Sequence, residues 1–302
     1  MKTIIAINNL GKRYARSPGW ALKDISLTIH SGEVFGLVGE NGAGKTTFIR
    51  LLLGLIRPTT GQVKFSHSPG IGYVPDRPVF YTTFTVTEYL NLLGQLTGLK
   101  GKRLKDRVDH ALHLANLADR AGYRIGTLSR GMLQRLGIAQ AILGDPEIII
   151  MDEPAAGLDP FGQKGIRDII LRLHQQGKTI LFSSHYLAEI ERVCSRVGVL
   201  HKGRLVLNRG IGELMRERRQ MVAIEIDAEA IVLEEALSRL ELDCELEGHR
   251  IIFHHLDDDR YFAVMQLLGE RRIRVLSLSH PGLFLEDVFL TATNHLERGR
   301  SR

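Results

Sequence analysis

The sequence predicts an α/β layered core followed by a small α+β unit, and three observations carry that expectation. Residues Gly39-Glu40-Asn41-Gly42-Ala43-Gly44-Lys45-Thr46 form a glycine-rich loop between an apolar, strand-like stretch (Val34–Val38) and a helix-like run (Thr47–Leu53). Strand and helix patterns then alternate to about residue 183, the rhythm of a sheet layered with helices. Near residue 220 both the rhythm and the charge change.

Before the loop, Ile4–Ile7 and Leu22–Ile29 read as strands, the second with Ile25, Leu27 and Ile29 on one face. His30–Glu33 is a turn into the loop's own strand. Pro58-Thr59-Thr60-Gly61 closes the first helical segment and leads into a short strand, Gln62–Phe65. Thr85-Val86-Thr87-Glu88 is a capping box: the Thr85 hydroxyl caps the helix while Glu88 reaches back, with Phe84 and Tyr89 placed as a hydrophobic staple. That helix should run to about Thr97. A second follows near 104–118, with Val108, Leu112 and Ala115 on one side. Residues 129–143 read as a helix, 147–151 as a buried strand, 163–176 as a helix and 178–183 as a strand. The stretch 83–143 is mostly helical and should form its own lobe. Beyond 220 the order is strand 221–226, helix 229–240, strand 243–247, strand 250–254, helix 259–270 and strand 272–278, a βαββαβ order of the split, ferredoxin-like kind. The expected domains are 1–220 and 221–302.

Composition bounds the classes. With 44% apolar and 25% charged residues the 302-residue chain reads as globular. It holds no apolar run of the ~18 residues that span a bilayer, and its first residues read as a strand rather than a signal peptide. The expected location is the cytoplasm. Cys194 and Cys244 lack metal-type spacing and read as plain thiols. The net charge of +6 divides unevenly: residues 1–220 carry 31 Lys+Arg against 18 Asp+Glu, and residues 221–302 carry 9 against 16. The basic residues are scattered. Their one loose cluster, Lys100, Lys102, Arg103, Lys105 and Arg107, reads as a solvated surface, so no nucleic-acid partner is expected.

The chemistry starts at Gly39–Thr46. Three glycines let backbone N–H groups turn inward around a polyphosphate, Lys45 can reach the terminal phosphates, and the Thr46 hydroxyl can sit on Mg²⁺. A helix N-terminus aimed at the same point adds its dipole. About a hundred residues later the buried strand Ile148-Ile149-Ile150-Met151 delivers Asp152 and Glu153 to its carboxyl end. There Asp152 suits the Mg²⁺ site, through a bound water, and Glu153 suits orientation of an attacking water. Leu128-Ser129-Arg130-Gly131-Met132 is a helix start, with Ser129 as N-cap and Gly131 permitting close approach.

Taken together, residues 1–210 resemble the nucleotide-binding domain of an ABC transporter. Gly39–Thr46 matches its Walker A motif and Ile148–Glu153 its Walker B. Leu128–Met132 resembles the signature motif, Ala156-Gly157-Leu158-Asp159 the D-loop, and His185 the switch histidine. The resemblance implies that ATP contacts Tyr14, Gly39, Glu40, Asn41, Gly42, Ala43, Gly44, Lys45, Thr46 and Thr47. Tyr14 would be the adenine platform, with Trp20 a nearby aromatic alternative. It implies Lys45, Glu153 and His185 as the catalytic set and Thr46, Asp152 and Asp76 around Mg²⁺. Ser129 and Gly131 would contact the γ-phosphate held by a second subunit, in a head-to-tail dimer.

The chain departs from the family pattern in places. Arg130 stands for a glycine and Met132 for a glutamine of the signature. Asp76, in Gly72-Tyr73-Val74-Pro75-Asp76, stands where the family's Q-loop has glutamine. The short stretch before Gly72 suggests a trimmed antiparallel subdomain. The acidic Q-loop, the Ser-x-Gly signature, the C-terminal extension and Leu285-Glu286-Asp287-Val288-Phe289-Leu290 resemble drug-resistance exporter ATPases. The implied function is the ATPase subunit of an exporter. It would dimerise around two Mg·ATP and be held at the inner face of the membrane by a separate permease, contacted around Asp76–Phe84. The alternative is a soluble ABC ATPase acting on nucleic acid or ribosomes. Against it, the chain has one such domain and no coiled-coil insertion between Thr46 and Asp152.

Overall fold

A computed structural model describes residues 2–15, 19–220, 222–254 and 256–279, with backbone alone at 217–220. The Leu285–Leu290 segment and its Pro281–Phe284 lead-in lie outside the described residues. The chain divides into two compact units between Arg209 and Gly210, ten residues ahead of the charge boundary at 220.

In the first unit, β1 (Thr3–Arg13) pairs antiparallel with β2 (Trp20–His30) and with β4 (Thr60–Phe65), giving a three-stranded sheet of order β2-β1-β4. Ile25, Leu27 and Ile29 are all buried, as their alternation requires. The second sheet has six strands in the order β5-β6-β7-β3-β8-β9. They are β3 (Val34–Val38), β5 (Ile71–Val74), β6 (Ile148–Met151), β7 (Thr179–Ser184), β8 (Arg196–His201) and β9 (Arg204–Gly210). The pairs β5–β6, β6–β7, β7–β3 and β3–β8 are parallel. Every residue of β3, β6 and β7 is buried. That explains why their sequences are near-continuous apolar runs rather than alternating ones: helices or the other sheet cover both faces. Lys202 and Gly203, both with positive φ (46° and 76°), turn the chain from β8 into β9. A two-residue hairpin needs that geometry.

The helices α1 (Lys45–Leu52), α2 (Val86–Leu96), α3 (Gly101–Leu114), α4 (Arg130–Ile142), α5 (Pro160–Gln175) and α6 (Leu187–Val193) complete this unit. The capping box forms as expected: Glu88 N–H donates to Thr85 Oγ1 (3.2 Å) and Thr85 N–H to Glu88 Oε2 (2.8 Å). Two aromatic pairs flank it. Tyr89 meets Phe80 edge-on at 5.5 Å, and Phe84 meets Tyr81 at 6.0 Å. The Tyr89 hydroxyl donates to Gln140 Oε1 (2.8 Å), tying α2 to α4. The second lobe helix runs 101–114 rather than 104–118; its predicted face, Val108 and Leu112, is buried with Ala115 just beyond it. Both cysteines are free thiols. Burial pushes the Cys194 thiol well above its ordinary pKa.

In the second unit, which also takes in α7 (Ile211–Gln220), the strands are β10 (Val222–Ile226), β11 (Cys244–Glu247), β12 (Arg250–Phe253) and β13 (Val275–Ser279). They form an antiparallel sheet of order β11-β12-β10-β13. With α8 (Glu234–Arg239) between β10 and β11, and α9 (Asp258–Glu270) between β12 and β13, this is the split βαββαβ arrangement. The expected helix 229–240 opens as a 3₁₀ turn, Ala230–Leu233, before α8. The core gathers Ile224, Ile226, Ile251, Phe253, Leu237 and Val264. Among the described residues of the whole chain, no helix is long and apolar enough to cross a membrane.

Candidate nucleotide site

Sheet order assembles the site. At the carboxyl edge the register aligns Val74 with Met151, Met151 with Phe182, and Val38 with Ser184. The segments that follow these strands therefore emerge side by side: Asp76 after β5, Asp152 and Glu153 after β6, His185 after β7 and the glycine-rich loop after β3. Parallel α/β sheets present ligand sites at this edge. Because β7 lies between β6 and β3, His185 stands between the carboxylates and the loop.

The loop is shaped for an anion. Gly44, the residue ahead of α1, has φ +111°, and a Cβ there would lie 2.7 Å from the Ala21 carbonyl oxygen. No side chain caps α1, so its first N–H groups face the loop's hollow. Lys45 is buried and donates to the carbonyls of Gly39 (2.6 Å) and Glu40 (3.2 Å); its Nζ also lies 2.9 Å from Glu153 Oε1. Its ammonium is thus held at the loop's centre.

Glu153 sits in the left-handed region at φ +49°, a strained setting for a glutamate. Its N–H donates to Ser183 Oγ (2.9 Å), while the Ser183 hydroxyl donates to Asp152 Oδ1 (2.7 Å). One hydroxyl on β7 therefore holds the Asp152 carboxylate and the Glu153 backbone just past β6, an arrangement the sequence did not announce. The available signal was a serine at the end of the apolar run Ile180-Leu181-Phe182. His185 Nδ1–H donates to Glu153 Oε2 at 2.5 Å, leaving Nε2 free to interact elsewhere. The Ser184 hydroxyl accepts from Tyr186 N–H (2.9 Å) and lies 3.0 Å from Glu189 Oε2, to which it donates. That bracing fixes the turn carrying His185. Burial raises the Glu189 carboxyl above its ordinary range, with Ser184 and His185 opposing it.

A cleft of about 410 Å³ is lined by Glu40, Asn41, Gly42, Gly44, Lys45, Thr46 and Thr47 of the loop, and by Asp76, Arg77, Arg130, Glu153, Ala156 and His185. Asp152 lies beneath it, 2% exposed. Gly39 contributes its carbonyl to Lys45, and Ala43 is buried behind the loop. Tyr14 is exposed and does not line this cleft, but its hydroxyl lies 3.5 Å from Oγ1 of Thr47, which does. Trp20 instead packs over Gly11. Ser129 and Gly131 do not line this cleft. They line a second one of about 390 Å³, with Met132, Gly157, Leu158 and Asp159. Ser129 Oγ caps α4 by accepting from Met132 N–H (3.3 Å). Among the described residues no three His, Cys, Asp or Glu side chains are grouped to hold a metal ion. The donors present, a threonine hydroxyl on the cleft and one buried carboxylate behind it, suit an ion that keeps most of its ligands as water and phosphate.

Comparison with known proteins agrees with this geometry. The family model described as ABC transporter matches residues 22–156, from β2 through the loop and helical lobe to the segment after β6. The bacitracin transport ATP-binding protein BcrA of Bacillus licheniformis is 32% identical over 96% of this chain and 97% of its own. The Nod factor export ATP-binding protein I of Cupriavidus metallidurans is 32% identical over 97% and 98%. Among solved structures, the dimeric structure of MJ0796, a bacterial ABC transporter cassette, is 25% identical with a TM-score of 0.63, covering 69% of this chain and 99% of that one. A loop built for polyphosphate, the carboxylate–histidine pair beside it and relatives matched over nearly their whole length lead to one conclusion: this chain belongs to the ABC transporter ATP-binding proteins, the ATP-hydrolysing subunits of these transporters.

Proposed function

We propose that the chain powers an exporter as a head-to-tail dimer closing around two Mg·ATP and acting on a separate membrane permease. One observation carries the dimer: Ser129 and Gly131 line a different cleft from the loop that would hold the phosphates. A signature helix can complete a phosphate site only by meeting the loop of another subunit. The export reading is supported by the relatives named for bacitracin transport and Nod factor export.

In this reading Lys45 and the loop N–H groups stabilise the β- and γ-phosphates. Glu153 orients the attacking water and accepts its proton, and His185, aligned by Glu153, donates from Nε2 toward the γ-phosphate. Thr46 and Asp152 would hold Mg²⁺, which supplies neutralisation of phosphate charge. Asp76 stands at the cleft beside Arg77 (3.8 Å) and would accept from water bound to that ion. Tyr14 stacks on the base. The permease would dock around Asp76–Phe84, where Val79 is 90% and Tyr81 67% exposed, and would hold the protein at the inner face of the membrane. Residues 221–302 act as an accessory domain.

The test is Glu153→Gln. It should keep ATP binding, stop turnover and accumulate an ATP-bound dimer by size-exclusion chromatography. A variant that hydrolyses ATP at the parental rate would refute the role of Glu153, and one that binds ATP yet stays monomeric at every ATP concentration would refute the dimer.

A further inference from the structure

The exposed arginine that replaces a signature glycine has a defined partner. Arg130 Nη2 donates to the Ala156 carbonyl (2.9 Å), in the segment that follows Glu153. The Ala156 N–H in turn donates to the Glu153 carbonyl (3.1 Å). The guanidinium lies flat against Gly157: a Cβ on that residue would fall 2.4–2.7 Å from its atoms, and Gly157 has φ +67°. Glycine is thus the residue that leaves room for the arginine and accepts this backbone conformation. Arg130 is also the first residue of α4, directly after the Ser129 cap, and its side chain borders both clefts.

These contacts form an unbroken chain from Glu153 through Ala156 to Arg130 and the Ser129 cap. We propose that Arg130 is a positioning residue that ties the Glu153 turn of a subunit's own nucleotide site to the signature element with which that subunit completes its partner's site. The inference rests on the dimer reading above. A guanidinium reaches the carbonyl with a rigid planar fork and fills the hollow over Gly157, whereas a glycine at 130 has no side chain to make that bond. The placement of the two half-sites of one subunit is then coupled through this contact.

The experiment compares Arg130→Ala, Arg130→Lys, Gly157→Ala and the Arg130→Ala/Gly157→Ala double variant, reading kcat and KM for ATP. Arg130→Ala and Arg130→Ala in the Glu153→Gln background are also assayed for ATP-dependent dimerisation. Loss of the tether should lower kcat on the order of tenfold with KM little changed, because it disturbs alignment of the closed site rather than first binding of ATP. Arg130→Lys, which can still donate to Ala156, should recover part of the loss. Gly157→Ala should reproduce it by displacing the guanidinium, and the double variant should be no worse than the singles, since both remove one interaction. In the Glu153→Gln background, Arg130→Ala should raise the ATP concentration needed for dimer. Parental kcat in Arg130→Ala, a lysine variant no better than alanine, or additive losses in the double variant would each overturn the proposal. If Glu153→Gln alone fails to dimerise, the dimer reading fails instead.

Discussion

Lys45 is buried and held by three oxygens, whereas Ser129 is exposed and makes one 3.3 Å cap bond. The phosphate-loop half of the machinery grows from strands that are buried along their whole length. Its lysine, its strained glutamate and its histidine are linked by contacts of 2.9 Å or less. The signature half stands at the exposed start of α4, a helix whose later residues are buried, and Arg130 links that start to the segment after Glu153. The difference teaches which part arrives prepared. Parallel strands set the first half before any ligand comes, because a buried strand end cannot shift without breaking the sheet. The second half waits for a partner, and its alignment rests on surface contacts.

Four substitutions test that contrast, from the largest effect to the smallest. Glu153→Gln, in the prepared half, should lower kcat by roughly 10²–10⁴-fold, the range for losing a general base, with nucleotide affinity kept in a fluorescent-nucleotide titration. Ser129→Ala, in the waiting half, should lower turnover by about tenfold while leaving ATP binding by the monomer unchanged. Losing the cap should also cost about 1 kcal/mol of stability in a urea titration. A loss of monomer binding as large as the loss of turnover would erase the distinction between the halves. Asp76→Gln, at the cleft's edge, should leave ATP binding intact; complete loss of binding would move Asp76 into the prepared half.

The smallest effect concerns Glu189, which braces the His185 turn through Ser184. Its folded pKa is raised by burial, so the folded protein binds that proton more tightly than the unfolded chain does. Its contribution is therefore fully favourable below the unfolded glutamate value and declines as the pH rises through the unfolded and then the folded pKa. Glu189→Gln, which carries no charge at any pH, should flatten that decline in melting temperatures measured between mildly acidic and neutral pH. An unaltered slope would show that the carboxylate is as well solvated there as in the unfolded chain.

Much of the first unit was legible because its demands are local. Gly44 must accept a positive φ, a buried strand must be apolar, and a capping box must place Thr85 three residues ahead of Glu88. Each is written in a few adjacent residues. The segment 187–220 forms α6, β8, β9 and α7, yet its short apolar stretches carry no period long enough to separate strand from helix. Ser183 carries no local signal, because a lone hydroxyl acquires meaning only from the strand beside it. Phe84 and Tyr89 also meet Tyr81 and Phe80, neighbours brought by the loop's path that no local pattern specifies.

By itself the sequence determined the phosphate loop, the acidic pair, the signature cap, the helical lobe and the βαββαβ order of the second unit. All of these are properties of contiguous segments, set by backbone sterics and hydrophobic period. Tertiary structure alone decided that β7 would insert between β6 and β3. That places His185 against the Glu153 carboxylate, and Ser183 against the Asp152 carboxylate and the Glu153 N–H, across 30 or more residues of chain. It also decided that Arg130 would lie on Gly157. Strand order and side-chain meetings over such distances depend on how whole elements pack, and no local pattern encodes which neighbour a strand will choose.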